Sequence, residues 1–111
     1  MPMTLQEAID EAFDQALHEL AARRSVEALV WLERAHILTQ RRLWLHARSH
    51  WLMLQAGWQQ GDTREVLGQM PRILAALLFS RIWVPIGNTG RARISAFQPM
   101  PMSEELRRLL E

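Results

Sequence analysis

The stretch LERAHILTQRRLWLHARSHWLML, residues 32–54, decides the fold, because it reads as two helical segments separated by a short basic turn. Apolar residues recur on both sides of the turn at the three- and four-residue spacing of amphipathic helices. The turn occupies residues 40–42. Since a connection of this length joins antiparallel neighbours, we predict a helical hairpin centred near residue 41.

Four residues with metal-ligating side chains lie in this hairpin. Glu33 and His36 form an E-x-x-H pattern before the turn, and His46 and His50 form an H-x-x-x-H pattern after it. Spacings of three and four place the members of each pair on one helix face. The pairs Glu33–His50 and His36–His46 are both centred on the predicted turn. We therefore predict that Glu33 lies opposite His50 and that His36 lies opposite His46.

Imidazole and carboxylate groups suit divalent transition metals such as zinc, iron, copper and nickel. Helical bundles build such sites from facing helices, and a carboxylate that faces a core is costly unless it is paired or bound to a metal. The pattern thus predicts a metal site with Glu33, His36, His46 and His50 as ligands. Three alternatives remain open: a metal-free polar network, a haem or organic ligand, and a metal-dependent enzyme. In a three-histidine metal site, Glu33 would instead support the ligands or act as a base.

Two more helices complete the hairpins on either side of this stretch. Before it, apolar residues at three- and four-residue spacing, with acidic residues on the other face, predict a helix from residue 5 onward. Thr4 and Glu7 are predicted to form its capping box, and Ser25 is predicted to cap the following helix. After it, Gly61 is typical of a helix stop, and a fourth helix is predicted to about residue 80. Pro71 is expected to kink or split that helix.

The segment RIWVPIGNTGRARISAFQPMPM, residues 81–102, is too rich in proline and glycine for a helix. We predict an extended arm with a turn at residues 88–90, in the manner of a small hairpin, that packs over the helices through Trp83, Ile86, Ile94 and Phe97 and is a candidate lid. Ser103 then caps a short helix. The expected fold is all-α in one domain, 1–111: two antiparallel helical hairpins in a helical core (1–80), the arm (81–102) and a short C-terminal helix (103–111).

Composition excludes several classes of function. The chain has 111 residues and no cysteine, so disulfides, thiolate sites and cysteine nucleophiles are excluded. Its net charge is +1, and the apolar run at 73–79 is too short to span a membrane. Neither nucleic acid nor a membrane is an expected partner, and no motif indicates a small-molecule substrate. Because the N-terminus has no signal-peptide pattern, a cytoplasmic location is expected.

Trp44, Trp51 and Trp58 follow one another at intervals of seven and therefore share one face of the third helix. Burial in the core is the simpler interpretation of this stripe. The alternative is a homodimer interface, because three indoles are a large apolar area for a small domain, and a homodimer is the partner that the sequence predicts. His18 lies among acidic residues on the opposite side of its helix from the apolar stripe, and it is expected at the surface.

Four segments resemble a known family: LERAHILTQ (32–40), HARSHWLML (46–54), REVLGQMPRILAALL (64–78) and WVPIGNTGRARISAFQPMPM (83–102). They are similar to a bacterial domain-of-unknown-function family, number 3703 in that series. The resemblance covers roughly residues 10–106, and its most specific part is the WVP-x-GNTG stretch with the later F-x-PMP. It implies the extent of the domain and a bacterial origin, and it implies no activity and no catalytic residue.

Overall fold

The computed structural model describes residues 3–80 and 83–111. Its helices are α1 (Leu5–Ala21), α2 (Ser25–Thr39), α3 (Leu43–Gln60), α4 (Thr63–Phe79) and α5 (Glu104–Leu110), and the described residues contain no strand. α1 packs against α2, α2 against α3 and α3 against α4, while α5 packs against α2 and α1. The predicted all-α arrangement of two helical hairpins and a short C-terminal helix is confirmed.

Two of the helix caps predicted from the sequence form as expected. The Thr4–Glu7 capping box forms in both directions, and Ser103 caps α5 through the backbone N–H of Leu106. Ser25 is an exception, since it is the first residue of α2 and Arg24 takes the cap position without a side-chain bond. The hydroxyl of Ser25 instead donates to the side chain of Gln59, at 3.1 Å, and so joins α2 to the end of α3.

Pro71 does not split α4, which is helical from Thr63 to Phe79. The helix is anchored on both sides of the proline. Before it, Gln69 bonds to His50 on α3, and after it, Arg72 donates to the carbonyl of Ile94 in the arm. These tertiary contacts outweigh the loss of one backbone N–H donor.

The helices and the arm enclose two interiors, one apolar and one polar. The apolar core lies between α1, α2 and α3 and is closed by Leu106 of α5; its largest fully buried apolar side chains are Ile9, Leu32 and Met53. α4 adds little to it, because the buried residues of α4 are Glu65, Gln69 and Ala76. The second interior, between α3, α4 and the arm, is therefore polar.

The arm is a series of turns and not the hairpin that the sequence suggested. Side chains hold its backbone: the amide of Asn88 donates to the carbonyls of Ser95 and Gln98, both at 2.8 Å, and Gln40, which caps the end of α2, donates to the carbonyl of Pro85. These bonds satisfy backbone groups that strand pairing would otherwise use. The arm does pack over the helices, but its buried residues include Val84, Asn88 and Gly90, whereas Trp83, Ile86 and Phe97 are largely exposed.

The tryptophan stripe is exposed, so the prediction that it belongs to the core is wrong. The exposed fractions of Trp44, Trp51 and Trp58 are 74%, 51% and 76%. α3 uses its other faces for burial, with Leu52 and Met53 toward α2 and the apolar core, and His46 and His50 toward α4. None of the described helices combines the length and the apolar character needed to cross a bilayer.

Candidate metal centre

Three histidine side chains converge in the polar interior. His36 comes from α2, His46 and His50 come from α3, and their exposed fractions are 3%, 6% and 3%. The Nε2 atom of His46 lies 3.0 Å from that of His36 and 3.2 Å from that of His50. One ligand atom from each ring lies within 4.8 Å of the other two. The predicted meeting of His36 and His46 across the hairpin is thus observed.

The outward nitrogen of each ring has its own hydrogen-bond partner. Nδ1 of His36 lies 2.7 Å from the carbonyl oxygen of Asn88 in the arm. Nδ1 of His46 lies 2.7 Å from the hydroxyl of Ser80, at the end of α4, and Nδ1 of His50 lies 2.6 Å from Oε1 of Gln69 in α4. The α2–α3 hairpin therefore supplies the rings, while α4 and the arm orient them.

These partners determine which ring nitrogen carries the hydrogen. A carbonyl oxygen, such as that of Asn88, only accepts. The Ser80 hydroxyl donates to the carbonyl of Ala76, and the Gln69 amide nitrogen donates to Glu65 and to the carbonyl of Gly90, so both residues accept from the rings. Each Nδ1 consequently carries the hydrogen, and each Nε2 presents a lone pair to the centre of the cluster.

Burial keeps the three rings neutral. Desolvation, with the neighbouring histidines adding to it, holds the pKa of His36 well below its usual value. Burial likewise lowers the pKa of His46 to about 4 and that of His50 to about 3. Near pH 7 no proton then bridges the Nε2 atoms, and lone pairs about 3 Å apart repel one another. A cation among them would turn this repulsion into coordination.

The two separations that involve His46 match those of ligands around a metal ion. Zinc binds histidine nitrogen at roughly 2.0–2.1 Å, and in a tetrahedral centre this places neighbouring ligand nitrogens about 3.3 Å apart. Two of the observed separations, 3.0 and 3.2 Å from His46 to His36 and to His50, are close to that value, and the three ligand atoms together lie within 4.8 Å of one another. Metal-bound histidines also typically donate their other ring N–H to a carbonyl or a comparable acceptor. All three rings of the cluster show this arrangement.

Glu33, the fourth residue of the predicted ligand set, lies outside the converging group. Its carboxylate is 3.4 Å from Nη1 of Arg91, and the side chain is 29% exposed. Partial burial raises its pKa, an effect that Arg91 opposes. The position opposite His50 is taken by Gln69, because α4 packs on α3 where the prediction had considered α2 alone. Glu33 is therefore not among the residues that converge with His50.

Glu65 is the acidic residue that does support the cluster. It is fully buried, accepts from Arg91 at 2.6 Å and from the backbone N–H of Ala92 at 3.1 Å, and contacts the amide nitrogen of Gln69 at 2.5 Å. It thereby turns Oε1 of Gln69 toward His50. The four-residue spacing of Glu65 and Gln69 on α4 was the sequence signal that could have revealed this pair.

Gly90 brings the backbone of the arm against the cluster. Its φ of 83° is one that residues with side chains rarely adopt, and an added Cβ would lie 2.6 Å from Cδ2 of His36. Two features therefore require glycine at position 90, the last residue of the GNTG segment: the backbone conformation and the closeness of the His36 ring. The arm forms a wall of the site.

A half-open cavity of about 540 Å³ leads to the three imidazoles. Its walls come from α4 and the arm and are mostly apolar. They include Ala75, Phe79, Val84 and Phe97, and Arg72 is the charged residue among the lining side chains that the structure describes. The cluster is therefore buried within the protein but borders on space that a small molecule can enter.

One comparison with known proteins matches this chain. The family model described as "Protein of unknown function (DUF3703)" matches residues 3–110. No curated protein and no solved structure matches the chain. Since the match covers nearly the whole sequence, including every residue of the histidine cluster and its supporting partners, the chain belongs to the DUF3703 family.

Proposed function

We propose that this protein binds one divalent transition metal ion through Nε2 of His36, His46 and His50. The observation that carries the proposal is the arrangement of the six ring nitrogens: three converge, and the other three donate to fixed acceptors. Imidazole ligands suit zinc, copper, iron and nickel. Zinc is the first choice, since three histidines are a known zinc ligand set.

The proposed site is open and not purely structural. Among the described residues no carboxylate completes the group of three, and the cavity adjoins the imidazoles. Structural zinc sites use four protein ligands, whereas exchangeable and catalytic sites keep one position for water or another small ligand. A metal-dependent enzyme is compatible with this arrangement, and the arrangement itself specifies no reaction.

Metal titration tests the proposal. Protein prepared without a histidine tag and stripped with a chelator should take up one zinc per chain, measured by calorimetry and elemental analysis. Cobalt should give the visible absorption of a four-coordinate centre. Replacing both His46 and His50 by alanine should abolish uptake, whereas His18→Ala, at an exposed histidine of α1, should not change it. Uptake well below one ion per chain, or uptake unaffected by the double substitution, would contradict the proposal.

We also propose that a second copy of the chain covers the exposed face of α3 and α4. Besides the tryptophan stripe, α4 exposes a row of aliphatic side chains with exposed fractions of 57–61%: Leu67, Met70, Leu74 and Leu78. Trp58 and Leu67 line one shallow depression, so the two rows meet at that end. Together they expose on the order of 600 Å² of apolar surface. A standard interface uses ~800 Å² per partner, most of which these two rows would supply.

Sedimentation or light scattering over a range of concentrations tests the dimer. The wild-type chain should be dimeric at micromolar concentration, and a Trp51→Glu plus Trp58→Glu variant should be monomeric. The matched control is Val26→Glu plus Val30→Glu, which places two charges at equally exposed apolar positions of α2. A wild-type monomer at high concentration, or dissociation by the control substitutions as well, would refute this interface.

A further inference from the structure

Arg72 places a positive charge beside the cavity, and its guanidinium is held by backbone carbonyl groups. Its Nη1 donates to the carbonyl of Gly68 and its Nη2 to that of Ile94, both at 2.8 Å. No carboxylate in the described parts of the chain forms an ion pair with it. Arg91 of the arm, by contrast, forms ion pairs with both Glu65 and Glu33.

The charge of Arg72 belongs to the same electrostatic environment as the histidines. It contributes to the lowered pKa of His36 and His50, after the larger effect of their burial. A divalent metal held by three neutral imidazoles would add two positive charges. The described lining contains no acidic side chain, and the carboxylate that acts on Arg72 from behind it is that of buried Glu65, which is paired with Arg91. A ligand that enters the cavity therefore meets the cationic side chain of Arg72 and no carboxylate among the described lining residues.

The neutral polar groups of the lining already have partners. Gln40 bonds to the backbone of Pro85 and Gly87, and the Asn88 side chain bonds to three backbone groups of the arm. The Ser80 hydroxyl lies between His46 and Ala76. What remains for a ligand is the cationic side chain, apolar walls such as Phe79 and Phe97, and a volume of about 540 Å³. That volume is typical of sites for small organic molecules.

We propose that this cavity binds a small organic carboxylate with an apolar body, its carboxylate lying between the metal centre and Arg72 and its hydrocarbon part lying along α4 and the arm. The metal contact rests on the proposed function, whereas the Arg72 contact does not. Guanidinium groups bind carboxylates through strong charge-assisted hydrogen bonds. A small inorganic anion would leave the apolar walls in contact with water.

Calorimetric titration of zinc-loaded protein with hexanoate, acetate and hexan-1-ol tests the inference. Hexanoate should bind at least about tenfold more tightly than acetate, which lacks the hydrocarbon chain. It should exceed hexan-1-ol, which lacks the negative charge, by at least the same factor. Arg72→Gln should weaken hexanoate binding about ten- to hundredfold, as expected for the loss of a bond to a charged group, and should keep one zinc per chain. Arg72→Lys should restore part of the affinity. Arg64→Gln, on an exposed turn of the same helix, should have no effect.

A second substitution guards against the case that Arg72→Gln does not fold. Ala75→Trp should fill part of the cavity from its exposed wall and abolish hexanoate binding with zinc retained. Equal affinity for hexanoate and hexan-1-ol, or hexanoate binding unaffected by both substitutions, would overturn the inference. Zinc binding without hexanoate binding would overturn it while the proposed metal function stands. Hexanoate binding that depends on Arg72 in a protein unable to hold zinc would support the anion site and defeat the metal function alone.

Discussion

At each imidazole of the cluster, the position of one hydrogen decides what the side chain can bind. Asn88, Ser80 and Gln69 each accept from an Nδ1 and leave the corresponding Nε2 free to coordinate. The sequence could identify the three histidines, because spacing within a hairpin depends only on helix geometry. It could not identify these acceptors, since they come from α4 and the arm, whose placement against α3 is a tertiary property.

Gln69 provides a test at this scale. Gln69→Ala should weaken zinc binding about ten- to hundredfold, because the His50 ring loses the acceptor that fixes its tautomer and orientation. A competition assay with a chromogenic chelator would measure the change. Gln59→Ala is the control, since Gln59 also bonds to backbone and side chain, at 2.9 and 3.1 Å, but at the other end of α3. Equal zinc affinity in the wild type and Gln69→Ala would argue against a role for this bond.

Among the larger elements, the hairpins were predictable and the arm was not. Short turns and helical periodicity determine which helices are neighbours, so the order α1 to α4 followed from local pattern. The arm is held by side-chain-to-backbone bonds from Asn88 and from Gln40, which lies 45 residues before Pro85. Bonds over such separations have no local signature. The tryptophan stripe shows the same limit, because periodicity gives its face of α3 but not whether a neighbour covers that face.

Gly90→Ala tests how closely the arm and the cluster are coupled. The substitution should lower the free energy of unfolding by about 1–2 kcal/mol through its left-handed backbone alone, and by more through the contact with the His36 ring. Zinc affinity should fall as well, because the ring must move. Urea unfolding and chelator competition would measure the two effects.

Gly61→Ala is the matched control for that substitution. Gly61 also has a positive φ, 71°, but a Cβ there would meet no atom within 4 Å. It should therefore show the backbone cost of about 1–2 kcal/mol without any change in zinc affinity. If Gly90→Ala and Gly61→Ala behaved alike in both assays, the arm would not position His36.

Over the whole molecule, stability is divided between the apolar core and the polar interior. α1, α2, α3 and α5 bury the apolar core, whereas α4 and the arm attach through Glu65, Gln69 and the histidine cluster. Three neutral buried imidazoles make that attachment sensitive to acid in the metal-free protein. Zinc would oppose this sensitivity, because it binds the deprotonated rings and therefore favours the folded state.

The direction of the acid effect follows from the pKa values. Unfolded histidine has a pKa near 6.5, while burial lowers that of folded His46 to about 4 and that of folded His50 to about 3. Between these values and 6.5 the unfolded chain binds more protons than the folded one. The free energy of unfolding should therefore be insensitive to these groups above pH 6.5 and should fall below it, by up to ~1.4 kcal/mol per pH unit for each ring.

Urea unfolding of chelator-treated protein at pH 7.5, 6 and 5 measures this loss. His46→Gln removes one of the buried titrating rings and should flatten the dependence, because glutamine binds no proton in either state. His18→Gln, at an exposed histidine, should leave the slope unchanged. Repeating the series with excess zinc should move the onset of the loss to lower pH, since the metal competes with protons for the same Nε2 atoms. The same slope in the wild type and in His46→Gln would mean that buried histidine does not cause the acid sensitivity.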